Sequence, residues 1–104
     1  MTILISGKDF EVTEAIRLHI DKVVSRKFSK FKKQIIGVQV YLEHVARKDA
    51  DSKRAKVRFK ISMSGHSVVV QSTAHDLYQA IVNASERALR KVRKVKEKRI
   101  HASR

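Results

Sequence analysis

The chain has 104 residues, 42% of them hydrophobic, enough for one domain with a core of its own. Lys and Arg number 24 against 10 Asp and Glu, a net charge of +14, and an excess of that size selects for a polyanionic partner while saying little about fold. Cysteine is absent, which excludes disulfides and thiolate metal sites. The first predicted element is a short strand, TILIS, ending at Gly7. Its apolar run Ile3-Leu4-Ile5 is too short for a secretion signal or a membrane span, so a cytoplasmic protein is expected. Val12-Thr13-Glu14 then opens a helix, with Thr13 as N-cap and Glu14 in the positive first turn. Ile16, Ile20, Val23, Val24, Phe28 and Phe31 recur at helical spacing and form one apolar stripe over about five turns, with Leu18 off it.

From Ile36 the period switches to two. Ile36, Val38, Val40 and Leu42 point one way, and Gln39, Tyr41 and Glu43 the other. A polar connection, EHVARKDADSK, follows. In RAKVRFKISM the residues Ala55, Val57, Phe59, Ile61 and Met63 alternate with Arg54, Lys56, Arg58, Lys60 and Ser62. Ser64-Gly65 reads as a two-residue hairpin turn. That turn sets Met63 opposite His66, Ile61 opposite Val68, Phe59 opposite Val70 and Val57 opposite Ser72, apolar set against apolar set. Asp76 caps a last helix whose stripe is Leu77, Ile81, Ala84, Ala88, Val92 and Val95, about 36 Å long if it runs to Arg99. The order β-α-β-β-β-α predicts an α+β fold. The first two strands are parallel through a right-handed crossover, the later ones are antiparallel neighbours, and both helices cover one face of a four-stranded mixed sheet. Its α-β-β-β-α portion resembles the core of the double-stranded RNA-binding domain. Residues 1–99 are expected to form the single domain and 100–104 a short basic tail.

The excess charge is not scattered. Lys22, Arg26, Lys30 and Lys33 flank the stripe of the first helix, and Arg87, Lys91, Lys94 and Lys98, with Arg90 alongside, flank that of the last. Two helices lying side by side are expected to join these rows into one basic strip. A merely solvated face mixes signs, with acids four residues before bases. From Arg87 to the C-terminus there are nine basic residues and one acid, Glu97, and phosphates relieve such self-repulsion. Arg54, Lys56, Arg58 and Lys60 on the open sheet face are a secondary candidate, read equally well as protection against pairing with other chains. Tyr41 is the one aromatic on that face, which favours recognition of backbone and shape over reading of unpaired bases.

Enzyme chemistry finds no foothold. His19, His44, His66, His75 and His101 lie on different elements without metal-ligand spacing, and His19, at the edge of the first helix's basic side, reads as an ordinary surface histidine. Asp49 and Asp51 are followed by Ser52-Lys53, which breaks a calcium-loop pattern. Gly7-Lys8 lacks the upstream glycine of a phosphate loop and has Asp9 in place of the hydroxyl residue. No Ser or Thr occupies a nucleophile elbow. No metal, cofactor or small-molecule substrate is expected. The residues by themselves leave three readings open: a specific RNA binder, a general duplex RNA or DNA binder, and an interaction module whose basic last helix meets an acidic protein or an anionic membrane. Ala84, Ala88, Val92 and Val95 offer little to insert into lipid, so no membrane partner is expected.

ISGKDFEVTEAIR at residues 5–17 and HDLYQAI at residues 75–81, in this element order, resemble the ribosome hibernation-promoting factor family, also called ribosomal subunit interface or sigma-54 modulation proteins. The similarity covers nearly the whole chain. Asp76, Leu77, Tyr78, Ala80 and Ile81 match its Asp-hydrophobic-Tyr-x-Ala-Ile motif, and Val12, Thr13, Glu14, Ala15, Ile16 and Arg17 match its first-helix opening. Physically these are helix starts and core residues, with Asp76 as cap and the Tyr78 ring packed beside the sheet. The resemblance implies a stress-response, stationary-phase factor that binds ribosomal RNA in the decoding region of the small subunit, between the two subunits, through basic helix residues. It would occupy transfer RNA and messenger RNA sites and so silence translation. The chain looks like the short form, which lacks a dimer-forming second domain and promotes ribosome pairing with a separate small modulation factor.

Overall fold

Alternation from Arg54 to Met63 builds the central strand, and the other elements assemble around it. The computed structural model describes residues 1–8, 10–46 and 53–102. In chain order they form β1 (Thr2–Lys8), α1 (Glu14–Lys27), a 3₁₀ turn (Ser29–Phe31), β2 (Ile35–Ala46), β3 (Lys53–Met63), β4 (His66–Ala74) and α2 (Leu77–Ala102). Asp9, Asp49, Asp51 and the tail residues Ser103 and Arg104 lie outside the described residues. β2 and β3 reach further into the expected polar connection than its composition suggests, pairing from His44↔Ala55 to Ala46↔Lys53.

The sheet order is β1-β2-β3-β4, with β1 parallel to β2 and the other pairs antiparallel. Gly65 takes φ 73 in the β3–β4 turn, a conformation that costs glycine nothing and other residues strain. The resulting register is the expected one, Met63↔His66, Ile61↔Val68, Phe59↔Val70 and Val57↔Ser72. Each of these β3 side chains is buried beneath the helices, while Arg58 and Lys60 face solvent on the other side. β2 departs from simple alternation at its start. One extra residue is accommodated between Ile35↔Met63 and Gly37↔Ser62, so Ile35 enters the core, 3% exposed, and Ile36 is turned out, 62% exposed. The expectation that Ile36 begins the buried face is corrected by that bulge.

Thr13 caps α1 by accepting the Ile16 N–H at 3.3 Å. The helix is shorter than five turns. It ends at Lys27, the Phe28 N–H closes it on the Val24 carbonyl at 3.0 Å, and Ser29 Oγ donates to the Arg26 carbonyl at 3.3 Å. A serine hydroxyl competing for the last carbonyls favours such a stop. Phe31 is still buried, carried inward by the 3₁₀ turn. Lys30 therefore sits on that turn and Lys33 beyond it, so the four expected cations of the first helix do not share one helical face.

Asp76 caps α2 through Oδ1, which accepts the Tyr78 N–H at 3.0 Å, and its carbonyl accepts the Ala80 N–H at the same distance. Ala80, Ala84 and Ala88 are fully buried; side chains this small let the helix lie close on β3 and β4. The single core joins Ile20, Val24 and Phe28 to Phe59, Ile81 and Val92. Tyr78 is not beside the sheet as expected. It is 42% exposed, with its ring edge-on to His19 of α1 at 4.6 Å, because its position falls on the α1 flank of α2.

Candidate nucleic-acid interface

α2 has two flanks beside its buried stripe, and helical spacing assigns different residues to each. Glu86 bridges to Lys27 of α1 at 3.6 Å, Tyr78 meets His19, and Lys96 Nζ lies 5.2 Å from the Phe31 ring centroid, a cation–π distance. These contacts make the α1 seam. His19 is half-buried there rather than on the surface. The opposite flank carries Arg87, Lys91, Lys94 and Lys98. Arg87 Nη1 donates to the Gln71 carbonyl of β4 at 2.6 Å, and Lys91 Nζ reaches the Val69 carbonyl at 3.4 Å. The expected merger of the two basic rows is thus corrected: the α2 row turns toward β4, away from α1. The reason is electrostatic as well as steric. β4 is an edge strand, its outward carbonyls attract donors, and Glu86, just before the basic run, occupies the seam with Lys27.

Between α2 and β4 lies a groove of about 540 Å³ floored by Val70 and walled by Arg58, Arg87, Arg90, Lys91 and Lys94. It holds five cations and no acid. A smaller hollow of about 210 Å³ continues it toward the hairpin, sharing Lys94 and adding His66 and Lys98. From Arg87 to Lys98 the helix advances about 16 Å, so the groove is a track rather than a point site. Arg87 and Lys91 are held in place by backbone carbonyls, which lowers the side-chain entropy lost when they take an anion. Lys22 and Arg26 on α1, Lys30 on the 3₁₀ turn and Lys33 after it are exposed cations outside this groove.

On the sheet face turned from the helices, Arg54 is half-buried, Arg58 and Lys60 are exposed, and Lys56 is paired with Glu43 at 3.5 Å. Arg58, a secondary candidate from its spacing along β3, also lines the α2 groove, a placement that spacing did not reveal. Its register opposite Gln71 puts it next to the edge strand, and it lines a hollow on the open face as well. The cross-strand register was available in the sequence; the side on which α2 docks was not. Among the described residues, no group of three or more His, Cys, Asp or Glu side chains converges as a metal site would require. No helix among them is long and apolar enough to cross a membrane.

Residues 3–100 match the family model described as sigma 54 modulation protein / S30EA ribosomal protein. A ribosome hibernation promoting factor of Azotobacter vinelandii is 30% identical over 100 residues, 96% of this chain and 87% of the relative. One from Pseudomonas putida is 31% identical over 98 residues, 94% of this chain and 89% of the relative. Among solved structures, a ribosomal subunit interface protein from Coxiella burnetii shares the fold with a TM-score of 0.80 at 16% identity, covering 93% of this chain and 99% of that one. The N-terminal domain of Protein Y from Thermus thermophilus has a TM-score of 0.72 at 28% identity, covering 89% of this chain and 94% of that one.

Proposed function

We propose a function from one premise: this chain belongs to the sigma 54 modulation protein / S30EA ribosomal protein family. It acts as a ribosome hibernation factor. It binds small-subunit ribosomal RNA in the decoding region at the subunit interface, occupies the space of transfer RNA and messenger RNA, and promotes ribosome pairing in stationary phase with a separate small modulation factor. Its site of action is the cytoplasmic ribosome.

One observation carries the RNA contact: the groove between α2 and β4 has five cations and no acid. Phosphate contacts position a protein on RNA without reading sequence, and Arg and Lys in a pre-set row supply them. Lys22, Arg26, Lys30 and Lys33 then serve as a second contact surface across the seam, and Arg54, Lys56, Arg58 and Lys60 as a third.

Co-sedimentation with small subunits tests this reading. Changing Arg90, Lys94 and Lys98 together to Gln removes three cations and leaves the Arg87 and Lys91 bonds to β4 in place, so circular dichroism should remain that of the wild type. Pelleting with subunits should fall steeply. Undiminished pelleting of the triple variant would remove the groove from the proposal. Competition by generic RNA duplexes equal to that by ribosomes, at matched phosphate, would favour a general duplex binder instead.

A further inference from the structure

On the open sheet face the register sets Ser6, Tyr41 and Arg58 side by side across three strands, with Lys8, Glu43 and Lys56 in the adjoining row. Ser6 and Gly7 are small, and the space they leave beside Tyr41 is a hollow of about 240 Å³. The Tyr41 ring walls it and is 43% exposed; its hydroxyl contacts Gln39 Oε1 at 3.4 Å, which steadies the ring from the side away from the Lys8 row. Lys8, Lys56 and Arg58 supply three cations. The one acid, Glu43, is already engaged by Lys56 at 3.5 Å. Arg58 also lines the α2 groove, so a chain of phosphates leaving that groove over β4 meets Arg58 before it meets Tyr41.

From this geometry we infer that the hollow receives one unpaired nucleotide of the bound RNA, its base against the Tyr41 ring and its phosphate between Lys8 and Arg58. The inference rests on the RNA-binding reading above and extends it from backbone contact to a single stacking position. Duplex RNA hides its base faces, whereas a splayed nucleotide offers both a π-face and a phosphate, the two chemistries this hollow presents. Its size points the same way: pockets for drug-sized ligands begin at about 300 Å³, and this one, at about 240 Å³, is smaller. A single aromatic wall also explains why one nucleotide, and not a run of bases, is the expected occupant.

The test uses proton–carbon NMR of the Tyr41 ring, assigned by comparison with Tyr41→Phe. The protein is titrated with a short single-stranded oligoadenylate, with a duplex of equal length, and with adenosine monophosphate at the same nucleotide concentration. The amide signals of Arg90 and Lys94 report the α2 groove in parallel. The expected result has three parts. The single strand moves the Tyr41 ring signals upfield, the duplex moves only the groove signals, and Tyr41→Leu weakens single-strand binding roughly five-fold or more. Groove signals that respond to both RNAs while Tyr41 stays still and Tyr41→Leu has no effect would overturn the inference and leave the proposed function standing. Silence at both places would overturn the inference together with its premise. A Tyr41 response to the mononucleotide as large as that to the strand would reassign the hollow to free nucleotides and overturn it too.

Discussion

Arg87 joins two roles in one side chain: it caps a β4 carbonyl and it walls the groove. Its guanidinium has donors to spare after the bond to Gln71, so an anion can be added without breaking the cap. Both ends of the interaction are exposed, which keeps its contribution to folding small. Arg87→Gln should change the unfolding free energy in urea by less than about 1 kcal/mol. The same change should lower affinity for small subunits and reduce the slope of log affinity against log salt by about one, the signature of a lost phosphate contact. A large loss of stability with an unchanged slope would mean that the residue is structural only.

At the scale of elements, the bulge at the start of β2 decides which of two adjacent isoleucines belongs to the core. Ile35 packs in the cluster with Phe31 and Met63, and Ile36 faces water. Ile35→Asp places an unpaired carboxylate in that cluster and should cost several kcal/mol, about 3 or more, in chemical denaturation. Ile36→Asp should fall within about 0.5 kcal/mol of the wild type. Reversed outcomes would restore the plain alternation that the sequence suggests. The start of α1 is simpler. Thr13→Ala removes the acceptor for the Ile16 N–H and should cost about 1 kcal/mol by the same measurement.

Across the whole molecule, a net charge of +14 acts with opposite sign on folding and on binding. The free protein is strained by repulsion among its own cations, so added salt should raise its thermal midpoint by screening. Binding to RNA should weaken with the same salt, about a thousand-fold or more between roughly 50 and 200 mM if six to ten phosphates are engaged. Thermal melts and subunit pelleting over one salt series check both halves. The shape serves the contact: the extents of 54 × 29 × 19 Å describe an elongated body, with α2, about 39 Å long, supplying one long basic side.

Local periodicity fixed the element order, the inward faces of β3 and β4, the hairpin register and the Thr13 and Asp76 caps, because each depends on backbone geometry within a few residues or across one tight turn. It also placed Arg87, Lys91, Lys94 and Lys98 of α2 in one row on one flank. What it left undecided is which neighbour that flank meets. A stripe has two equivalent sides in a helical pattern, and only packing of α2 against α1 and β4 distinguishes them. Glu86 paired with Lys27 and Arg87 bonded to Gln71 express that choice, and it turns the basic row from an interhelical strip into a groove over the edge strand. The exposure of Ile36 has the same origin, because the bulge that turns it outward is set by pairing with β3, a segment distant in the chain whose free energy no local pattern contains.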